Sequence, residues 1–465
     1  MPLKKLKSIV GEAHLLWRPE DLMLYEYDGL SAEGLPDAVV FPGSTAEVVE
    51  IVKLADRCGI PIVARGAGTG LSGGAVVTEG GIVVGFSRMK KIIEIDLENQ
   101  RARVQPGVVN LDLSLALSDS GYYYAPDPSS QKACTLGGNV AENSGGPHTL
   151  ACGVTTNHVL GVEMVLPNGE VVHAGGKCWS RPGYDLTGLI VGSEGTLGLV
   201  TEITVRICRK PEAVKTLLAI YDRVADATQT VAAITACGLT PAALEMMDGF
   251  TLRAVEAATH AGYPLDSAAV LLIELEGLRE ALEEEAVQIE AACREHHARL
   301  VRQARTAEER ELLWRGRKNA FGALGRISPS YYVQDGVIPR TRLPEMMDYI
   351  GEVAQTHGLR IGNIFHAGDG NLHPLLMYDN RDPELCRRVS KAAAEIIARC
   401  VELGGSITGE HGVGIEKSEL MPLLFSEDDL EMMRGIKAVF NPGSTFNPGK
   451  VLPTGKMCGE LRVKI

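Results

Sequence analysis

Three glycine-rich segments in the first half of the chain restrict what it can fold into. The first, RGAGTGLSGG at 65–74, has five glycines in ten residues and follows IPIVA at 60–64, which predicts a buried strand. Backbone this rich in glycine forms neither a stable helix nor a stable strand. It can instead turn its amide groups toward an anion and let a diphosphate approach closely. A plain flexible loop is the alternative interpretation of this segment taken alone.

Two later segments repeat this composition. TLGGNVAENSGG at 135–146 and GSEGTLG at 192–198 interrupt short β-like runs that alternate with turn residues between 81 and 210. Binding residues concentrate in loops that a scaffold of strands holds in place. Three such loops therefore predict a long ligand that lies across several strand ends.

The sequence predicts strands and helices before and after these loops. Residues 36–64 predict strand, helix, strand, with the helix beginning at Ser44 and ending at Gly59. After about residue 211, strand-like LLAIY, ALEMM and AVLLIELEG alternate with helical stretches, notably 278–300. This alternation predicts helices packed on an antiparallel sheet. The predicted divisions of the chain are 1–210, 211–412 and 413–465.

Composition excludes several classes of protein. With 465 residues the chain is long enough for two or three domains. Its formal charge, 46 − 59 = −13, gives an acidic surface that repels phosphate backbones, so no nucleic-acid partner is expected. No apolar run approaches the roughly 18–20 residues that span a bilayer, so no transmembrane segment is expected, and the first residues make a poor signal peptide.

The ten cysteines are scattered, and no two form a CxxC pair. This spacing argues against an iron–sulfur cluster or a cysteine-ligated zinc within the chain. Unpaired cysteines suit a reducing compartment, so a cytoplasmic location is expected. Their simplest role is as small core residues.

Two histidine clusters are the strongest signs of chemistry. In FHAGDGNLH, residues 365–373, the turn sequence GDGN separates His366 from His373 and predicts a chain reversal that brings the two rings together. The segment GEHGVG at 409–414 adds Glu410 and His411. Three histidines and a carboxylate among glycines could form a divalent metal site with a base beside it. The alternative is that each is a surface or hydrogen-bonded core histidine.

A set of spaced motifs runs through nearly the whole chain, from about residue 36 to 453. The motifs are ARGAGTGLSGG (64–74), PDPSS (126–130), TLGGNVAENSGG (135–146), GSEGTLGLVTEITV (192–205), FHAGDGNLHP (365–374), GEHGVG (409–414) and FNPGKVLP (446–453). In this order they resemble the FAD-linked oxidase family of the vanillyl-alcohol oxidase type. Within it, the similarity is greatest to bacterial glycolate oxidase FAD subunits and to D-lactate and D-2-hydroxyglutarate dehydrogenases.

The resemblance implies an α+β fold in two parts. A two-lobed FAD-binding domain, made of two subdomains, would occupy 1–210. A substrate-binding cap domain with a ferredoxin-like antiparallel sheet would occupy 211–412. The segment 413–465 would form C-terminal helices that return to the FAD domain.

The resemblance also implies how FAD is held. The first glycine loop would cradle the FAD diphosphate, 127–145 and 194–203 would line the rest of the flavin, and 447–450 would return to it. Family members that tether FAD covalently use a histidine in the first loop, which has none here, so FAD is expected to be non-covalent; His148, near the second loop, is predicted to have a polar packing role. The implied cofactor residues are Arg65, Gly66, Ala67, Gly68, Thr69, Gly70, Ser72, Gly73, Pro126, Asp127, Ser130, Thr135, Gly137, Gly138, Asn139, Ala141, Asn143, Ser144, Gly145, Glu194, Gly195, Ile203 and Asn447.

By the same resemblance, His366, His373 and Glu410 are metal ligands, His411 is the catalytic base and Arg317 is the clamp for the substrate carboxylate. A bound divalent metal, for which zinc, iron and manganese all fit two imidazoles and a carboxylate, lowers the pKa of an alcohol. A nearby imidazole can then accept the proton. A guanidinium fork suits a planar anion. Arg340 and Lys417 are weaker candidates for the site, with a surface role favoured for both.

The implied function is FAD-dependent oxidation of a small D-2-hydroxy acid, glycolate or D-lactate, to the 2-oxo acid, with hydride transfer to flavin N5. The alternatives are a D-2-hydroxyglutarate-type dehydrogenase, a non-redox flavoenzyme of the same fold, and a flavin-carrying electron-transfer subunit. Electrons would pass to an acceptor: an iron–sulfur subunit, an electron-transferring flavoprotein or a quinone. The protein could be held at a membrane surface through that partner, and its oligomeric state is open.

Overall fold

A computed structural model gives the structure of the chain and describes residues 1–30, 32–178 and 182–455. The end of the predicted returning segment, 456–465, lies outside the described residues. The described chain divides into two compact units. The first unit consists of 1–145, 154–210 and the described residues from 410 onward, and the second unit of 146–153 and 211–409. The three-domain division predicted from the sequence stays a prediction.

The helices lie in both units. The α-helices are α1 (Leu3–Val10), α2 (Pro19–Leu22), α3 (Thr45–Cys58), α4 (Asn110–Leu117), α5 (Leu136–Glu142), α6 (Thr149–Cys152), α7 (Leu186–Ile190), α8 (Val224–Ala236), α9 (Gly249–Thr259), α10 (Arg279–Glu295), α11 (Ala307–Lys318), α12 (Ala320–Leu324), α13 (Leu343–His357), α14 (Pro383–Glu402) and α15 (Glu427–Phe440). Short 3-10 helices cover Glu12–His14, Met23–Tyr25, Ser118–Ser120, Thr155–Asn157, Arg340–Arg342 and Ser418–Leu423.

The strands form two main sheets in the first unit, with one short pair beside them, and a larger sheet in the second. The strands are β1 (Leu15–Leu16), β2 (Ala38–Val40), β3 (Ile62–Arg65), β4 (Ile82–Gly85), β5 (Ile92–Asp96), β6 (Arg101–Val104), β7 (Tyr122–Tyr123), β8 (Val159–Val165), β9 (Val171–Gly175), β10 (Leu199–Arg206), β11 (Cys208–Arg209), β12 (Ala213–Tyr221), β13 (Ala243–Asp248), β14 (Ala269–Gly277), β15 (Leu300–Gln303), β16 (Ser330–Val333), β17 (Gly336–Val337), β18 (Arg360–His366) and β19 (Asn371–Tyr378).

The first sheet of the first unit has the order β1-β2-β4-β3, with β2 and β3 both parallel to β4. Helix α3 connects β2 to β3 and begins where the Ser44 side chain accepts a hydrogen bond from the Glu47 amide. It ends at Gly59, whose φ of 61° is left-handed. The strand-helix-strand prediction for 36–64 is confirmed. The helix buries one face against the strands, through side chains that include Val48, Ile51 and Val52.

A separate antiparallel sheet, β5-β6-β10-β8-β9, forms the second lobe of the first unit. Its buried side chains make their own hydrophobic cluster, in which Val104 of β6, Val162 of β8 and Ile203 of β10 lie together. Most buried side chains of each sheet therefore lie in a separate cluster, although Val165 of β8 and Leu199 of β10 pack in the cluster of the first sheet, and the two predicted lobes are confirmed.

The second unit is built on one antiparallel sheet. Its path is β15-β12-β14-β13-β18-β19-β16, with β17 pairing beside β16 on β19. The strands β12 to β15, with helices α8 and α10 between them, have the 4-1-3-2 order of a ferredoxin-like fold. The predicted ferredoxin-like antiparallel sheet is confirmed. Alternation along the strands divides the side chains between two faces.

The two faces of this sheet differ in what they carry. One face packs on α8, α10, α13 and α14 through an almost wholly apolar cluster. The other packs on α9, α11 and α12, and it also carries four buried ionisable side chains: Glu274, Glu245, His366 and His373. This polar row within an apolar interior marks the face as the functional one.

The helix predicted for 278–300 is shorter in the structure. Helix α10 ends at Glu295, His297 has a left-handed φ of 65°, and Leu300 begins β15. The predicted helix was too long because HHARL, residues 296–300, continues the polar pattern of the helix. In the structure the chain turns there and adds β15 as an edge strand beside β12.

Candidate active site

His366 and His373 come together at the end of one hairpin of the second unit. Strands β18 and β19 pair with Ile364 opposite His373 and His366 opposite Asn371. Opposed residues share a face, so the two imidazoles lie diagonally next to each other. Their ring centroids are 5.1 Å apart and the rings are nearly perpendicular. The chain reversal predicted from GDGN is confirmed.

Local hydrogen bonds shape the turn between these strands. The Asp369 side chain accepts a hydrogen bond from the Asn371 amide at 3.1 Å, and Gly370 has a left-handed φ of 81°. Arg340 Nη1 donates to the Gly368 carbonyl at 2.9 Å. Arg340, a weaker site candidate on sequence grounds, is therefore half-buried and bonded to the turn that precedes His373.

Hydrogen bonds also fix which nitrogen of each imidazole carries the proton. His366 Nδ1 lies 2.7 Å from Glu245 Oε1, and His373 Nδ1 lies 3.1 Å from the carbonyl of Gln334. Because both partners are acceptors, both Nδ1 atoms donate, and the lone pair of each neutral ring is on Nε2. Both side chains are buried. Two Nε2 atoms fixed in this way match what a divalent metal requires.

Arg317 lies on α11 and is 1% exposed. Its guanidinium forms an ion pair with Glu245, whose opposite oxygen is the one bonded to His366. Burial alone would raise the pKa of Glu245, but the charges of Arg317 and His366 outweigh it and lower that pKa. Arg317 Nε has no hydrogen-bond partner among the described residues. A buried guanidinium with an unsatisfied donor is suited to an anionic ligand.

In the first unit, glycines of the first two loops lie too close to neighbouring residues to accommodate a side chain. A Cβ on Gly66 would lie 2.4 Å from Thr135 Oγ1, and one on Gly137 would lie 2.5 Å from Pro106 Cβ. Gly68 and Gly73 have left-handed φ values of 71° and 79°. The first loop therefore needs glycine for both close contact and conformation, and the second loop needs it for close contact.

Three buried polar atoms beside these loops have no hydrogen-bond partner within the described part of the chain. They are Arg65 Nη1, Ser72 Oγ and Glu142 Oε2. Buried polar groups in native proteins are nearly always bonded, so these atoms fit a polar ligand that completes them. A cradle of glycine backbone next to an unsatisfied arginine is what a dinucleotide diphosphate requires.

The third loop and the segment near the C-terminus close around the first loop. Glu194 accepts hydrogen bonds from the amides of Val413 and Gly414, both at 2.7 Å. Asn447 Nδ2 donates to the carbonyls of Gly74 and Glu194. Lys450 Nζ donates to the carbonyls of Gly74 and Val76 and to Asn447 Oδ1. All three glycine loops and the closing segment are thus brought together in the first unit.

Burial changes the ionisation of this cluster. It raises the pKa of Glu142 well above its usual range, with the neighbouring Glu194 adding to the effect. It also raises the pKa of Glu194, although the two amide donors oppose this. Burial lowers the pKa of Lys450 to about 8, opposed by Glu194, Asp28 and Glu142. All three shifts favour the neutral forms of groups taken out of water.

The predicted cofactor residues all lie in the first unit, with different local roles. Thr135 caps α5 through Gly138, and Asn143 ends it with a left-handed φ of 57°. Asn139 donates to Asn110, which in turn donates to the carbonyl of Pro126. The side chain of Ile203 is buried in the core of its sheet, in a hydrophobic cluster that also contains Leu136 and Val140 of the second loop segment. The direct contacts of these residues with FAD stay a prediction.

The predicted catalytic set is divided between the units. His366, His373 and Arg317 belong to the second unit, whereas Glu410 and His411 belong to the first. The surface role favoured for Lys417 is wrong, since it is 1% exposed. The polar packing predicted for His148 is confirmed: Nε2 lies 3.3 Å from Glu274 and the ring stacks on Trp314.

Sequence reasoning missed Glu245. The available signal was a single acid in the otherwise apolar run ALEMM. The residue gains its partners only through the pairing of β13 with β18, which joins positions 121 residues apart.

Comparison with known proteins gives the family. Residues 36–175 match the family described as FAD binding domain, and residues 210–451, more than half of the chain, match FAD linked oxidases, C-terminal domain. The chain belongs to the FAD-linked oxidase family. The family membership predicted from the sequence motifs is therefore confirmed. This FAD-linked oxidase binds FAD and is an oxidoreductase.

The chain is similar to two relatives of known name and to one solved structure. The FAD-linked oxidase is 44% identical to glycolate oxidase subunit GlcD of Escherichia coli over 459 residues, which cover 98% of this chain and 92% of the relative. It is 33% identical to D-lactate dehydrogenase of Anaerostipes hadrus over 435 residues, 92% and 90% of the two chains. It shares its fold with p-cresol methylhydroxylase, with a TM-score of 0.83, 18% identity, and coverage of 97% of this chain and 96% of that one. Among the described residues, no helix combines the length and apolar character needed to cross a membrane.

Proposed function

We propose that this FAD-linked oxidase oxidises a small D-2-hydroxy acid, glycolate or D-lactate, to the corresponding 2-oxo acid. The observation that carries the proposal is the buried group in the second unit, where one carboxylate, Glu245, contacts both Arg317 and His366. A guanidinium suits the acid group of such a substrate and an imidazole pair suits a cation at its hydroxyl. The names of the two relatives, a glycolate oxidase subunit and a D-lactate dehydrogenase, agree with this chemistry.

FAD would be held by the loops of the first unit without a covalent bond. The unsatisfied Arg65 Nη1 and Ser72 Oγ lie in the first loop, where the diphosphate is expected, and that loop contains no histidine that could form a covalent link. When bound, FAD would supply the two-electron acceptor for the C2 hydride. The electrons then leave to a partner: an iron–sulfur subunit, an electron-transferring flavoprotein or a quinone.

A divalent metal would be held by His366, His373 and Glu410. The Nε2 lone pairs of the two buried imidazoles support this. Glu410 and His411 directly follow Gly409, whose amide is bonded to Asp335 at 3.0 Å, so covalent connectivity keeps them near this part of the chain. Zinc, iron and manganese all accept such ligands. When bound, the cation supplies Lewis acidity that lowers the pKa of the substrate hydroxyl.

The protein side chains then have separate tasks. Arg317 binds and orients the substrate carboxylate through its unsatisfied donor. His411 accepts the proton of the hydroxyl group. The C2–H bond breaks and the hydrogen leaves carbon with both bonding electrons, the O–H bond breaks and its proton goes to His411, and the C–O bond becomes C=O. The products are the 2-oxo acid, reduced cofactor and protonated His411.

The residues near His373 favour a short substrate. Val333 and Gln334, at the end of β16, are buried and carry no positive charge that could bind a second carboxylate. Phe321 lies beside His373, with ring centroids 6.4 Å apart. This supports glycolate or D-lactate over D-2-hydroxyglutarate. The cytoplasmic location and any attachment to a membrane through a partner stay predictions.

Anaerobic reduction of the flavin tests the proposal. The purified yellow protein is mixed with glycolate, D-lactate, L-lactate and D-2-hydroxyglutarate in separate experiments, and the absorbance of oxidised flavin is followed. We expect glycolate or D-lactate to bleach the flavin and L-lactate to leave it yellow. Bleaching by none of the four acids would overturn the proposed function in favour of a non-redox or purely electron-carrying protein. Faster bleaching by D-2-hydroxyglutarate would reassign the substrate.

A further inference from the structure

Glu245 occupies the centre of the buried group and has two partners on two different elements. Its Oε1 accepts a hydrogen bond from His366 Nδ1 at 2.7 Å, across the β13–β18 pairing. Its Oε2 forms the ion pair with Arg317 of α11. All three residues are at most 3% exposed. One carboxylate therefore connects the proposed cation ligand with the proposed substrate clamp.

Packing alone does not account for a carboxylate at this position. Its neighbours on the same face of β13, Ala243 and Met247, are buried apolar side chains, and an apolar residue at 245 would complete this face without desolvating a charge. Buried ion pairs often stabilise a fold no better than apolar groups of the same size. What a carboxylate adds is position: one oxygen accepts the hydrogen bond of His366 and the other holds the charge of Arg317 beside it.

We propose that Glu245 is a positioning residue that holds both the proposed cation ligand, His366, and the proposed substrate clamp, Arg317, an inference that rests on the proposed function. Through Oε1 it keeps the proton of His366 on Nδ1, which leaves Nε2 to bind the cation. Through the ion pair at Oε2 it keeps the Arg317 guanidinium beside the same carboxylate. The same carboxylate therefore sets the positions at which the hydroxyl and the carboxyl ends of one 2-hydroxy acid are bound.

The chain contains a matched control for this role. Glu274, on the adjacent strand β14, is also buried and also contacts an arginine and a histidine, Arg310 and His148. Neither of these is a proposed cation ligand or clamp. Replacement of Glu274 by Gln thus removes the same kind of buried charge while leaving the contact between Glu245 and His366 intact.

Cation affinity, measured without substrate, tests the inference. Full-length protein with FAD bound is freed of metal by a chelator and titrated with Mn²⁺, and free Mn²⁺ is counted by electron paramagnetic resonance. We expect Glu245→Gln to weaken Mn²⁺ binding by about 10–100-fold, the usual effect of removing an acceptor behind a metal-bound histidine. Arg317→Met and Glu274→Gln should bind Mn²⁺ within about threefold of the wild-type protein, because the His366 contact is unchanged. FAD content and the thermal unfolding midpoint report whether each variant is folded.

The double variant Glu245→Gln/Arg317→Met separates orientation from charge balance. If Glu245 only neutralised Arg317, removing both charges would restore the Mn²⁺ affinity of Arg317→Met. We expect the double variant instead to bind Mn²⁺ as weakly as Glu245→Gln. The double variant also remains informative if Glu245→Gln fails to fold, because it leaves no unpaired buried charge.

The outcomes distinguish this inference from the function on which it rests. Equal Mn²⁺ affinity in the wild-type protein and Glu245→Gln, or restored affinity in the double variant, would overturn the positioning role alone. Absence of Mn²⁺ binding by the wild-type protein would overturn both the cation assignment and the positioning role. Normal Mn²⁺ results combined with no flavin reduction by any hydroxy acid would overturn the proposed reaction and leave the effect of Glu245 on the cation site standing.

Discussion

His411 is the residue on which the proposed proton transfer depends. It follows Glu410 in GEHGVG, and the amides of Val413 and Gly414 in the same segment are bonded to Glu194 of the third glycine loop. The segment is therefore held by the FAD-binding unit through its backbone, independently of the His411 side chain. Loss of the imidazole should affect the chemistry and leave the loop in place.

We accordingly expect His411→Ala to keep FAD bound and to slow flavin reduction by on the order of 100-fold or more, the usual contribution of a general base. Stopped-flow reduction with glycolate or D-lactate measures this. His357→Ala is the control, since His357 is bonded to Glu395 between α13 and α14, apart from the candidate site. Equal reduction rates in His411→Ala and the wild-type protein would show that another group accepts the proton.

At the residue scale, the sequence predicts the contacts and burial of some residues well and those of others not at all. His366 and His373 were predictable as neighbours because a four-residue turn joins their strands, so the information is local. Glu245 was not, because its two bonds depend on a strand pairing and a helix position set by the whole second unit. The burial of Lys417 was missed for the same reason: a lysine in a polar sequence gives no local sign that it is enclosed.

Helix α11 is the element that carries the proposed substrate clamp. Arg310, Trp314 and Arg317 recur at helical spacing and share one face. Arg310 and Trp314 both donate to Glu274, and Tyr263 donates its hydroxyl hydrogen to the Leu313 carbonyl at 2.7 Å. The first two turns of the face are thus anchored to β14, and this fixes where Arg317 reaches the sheet.

Glu274 should also give the second unit a measurable acid sensitivity. Burial by itself would raise its pKa, but hydrogen bonds from His148 and Arg310 outweigh it and lower that pKa to about 2. Its contribution to stability is therefore complete above the ordinary value of 4.5 and is lost as the pH falls toward 2. Since Arg310 is partly exposed, we expect the contribution to be about 1–3 kcal/mol.

Glu274→Gln removes this contribution. We expect a lower thermal unfolding midpoint at pH 7 and a smaller decrease of that midpoint between pH 7 and pH 3 than in the wild-type protein. Circular dichroism at a series of pH values measures both. If the variant and the wild-type protein lost stability in parallel on acidification, Glu274 would not be the group that titrates.

On the scale of the whole molecule, the glycine loops assign FAD binding to the first unit. A methyl group at Gly137 would lie 2.5 Å from Pro106 Cβ and 3.0 Å from the Pro106 carbonyl oxygen, so the second loop would have to move. Overpacking of this kind costs about 1–3 kcal/mol, so Gly137→Ala should bind FAD roughly tenfold more weakly. FAD released by acid from the purified protein measures the occupancy.

Gly435→Ala is the matched control for this prediction. Gly435 lies on α15 of the same unit, and a Cβ there meets no atom within 4 Å. Alanine in a helix is favoured over glycine by about 1 kcal/mol, so this variant should retain FAD fully. Full FAD occupancy in Gly137→Ala as well would mean that the second loop does not line the cofactor.

The fold at this scale was largely predictable, and the assembly of the sites was not. Alternating patterns and capping residues were enough to predict the β2-α3-β3 segment and the antiparallel sheet of the second unit, because these features depend on residues that are close in the sequence. The gathering of three glycine loops around Asn447 and Lys450 joins residues more than 250 positions apart, and only the known motifs of a family indicated it. The C-terminal end of α10 was predicted too late, because hydrophobic periodicity does not show where a helix ends and an edge strand begins.

The route of the chain has a consequence for how this protein can be divided. Within the described residues the backbone passes between the two units four times, at 145/146, 153/154, 210/211 and 409/410. A break at any one of these points yields two fragments, at least one of which contains pieces of both units. Neither unit can therefore be obtained on its own by shortening the gene from one end, and a stop codon within the second unit also deprives the first unit of the segment that begins at residue 410.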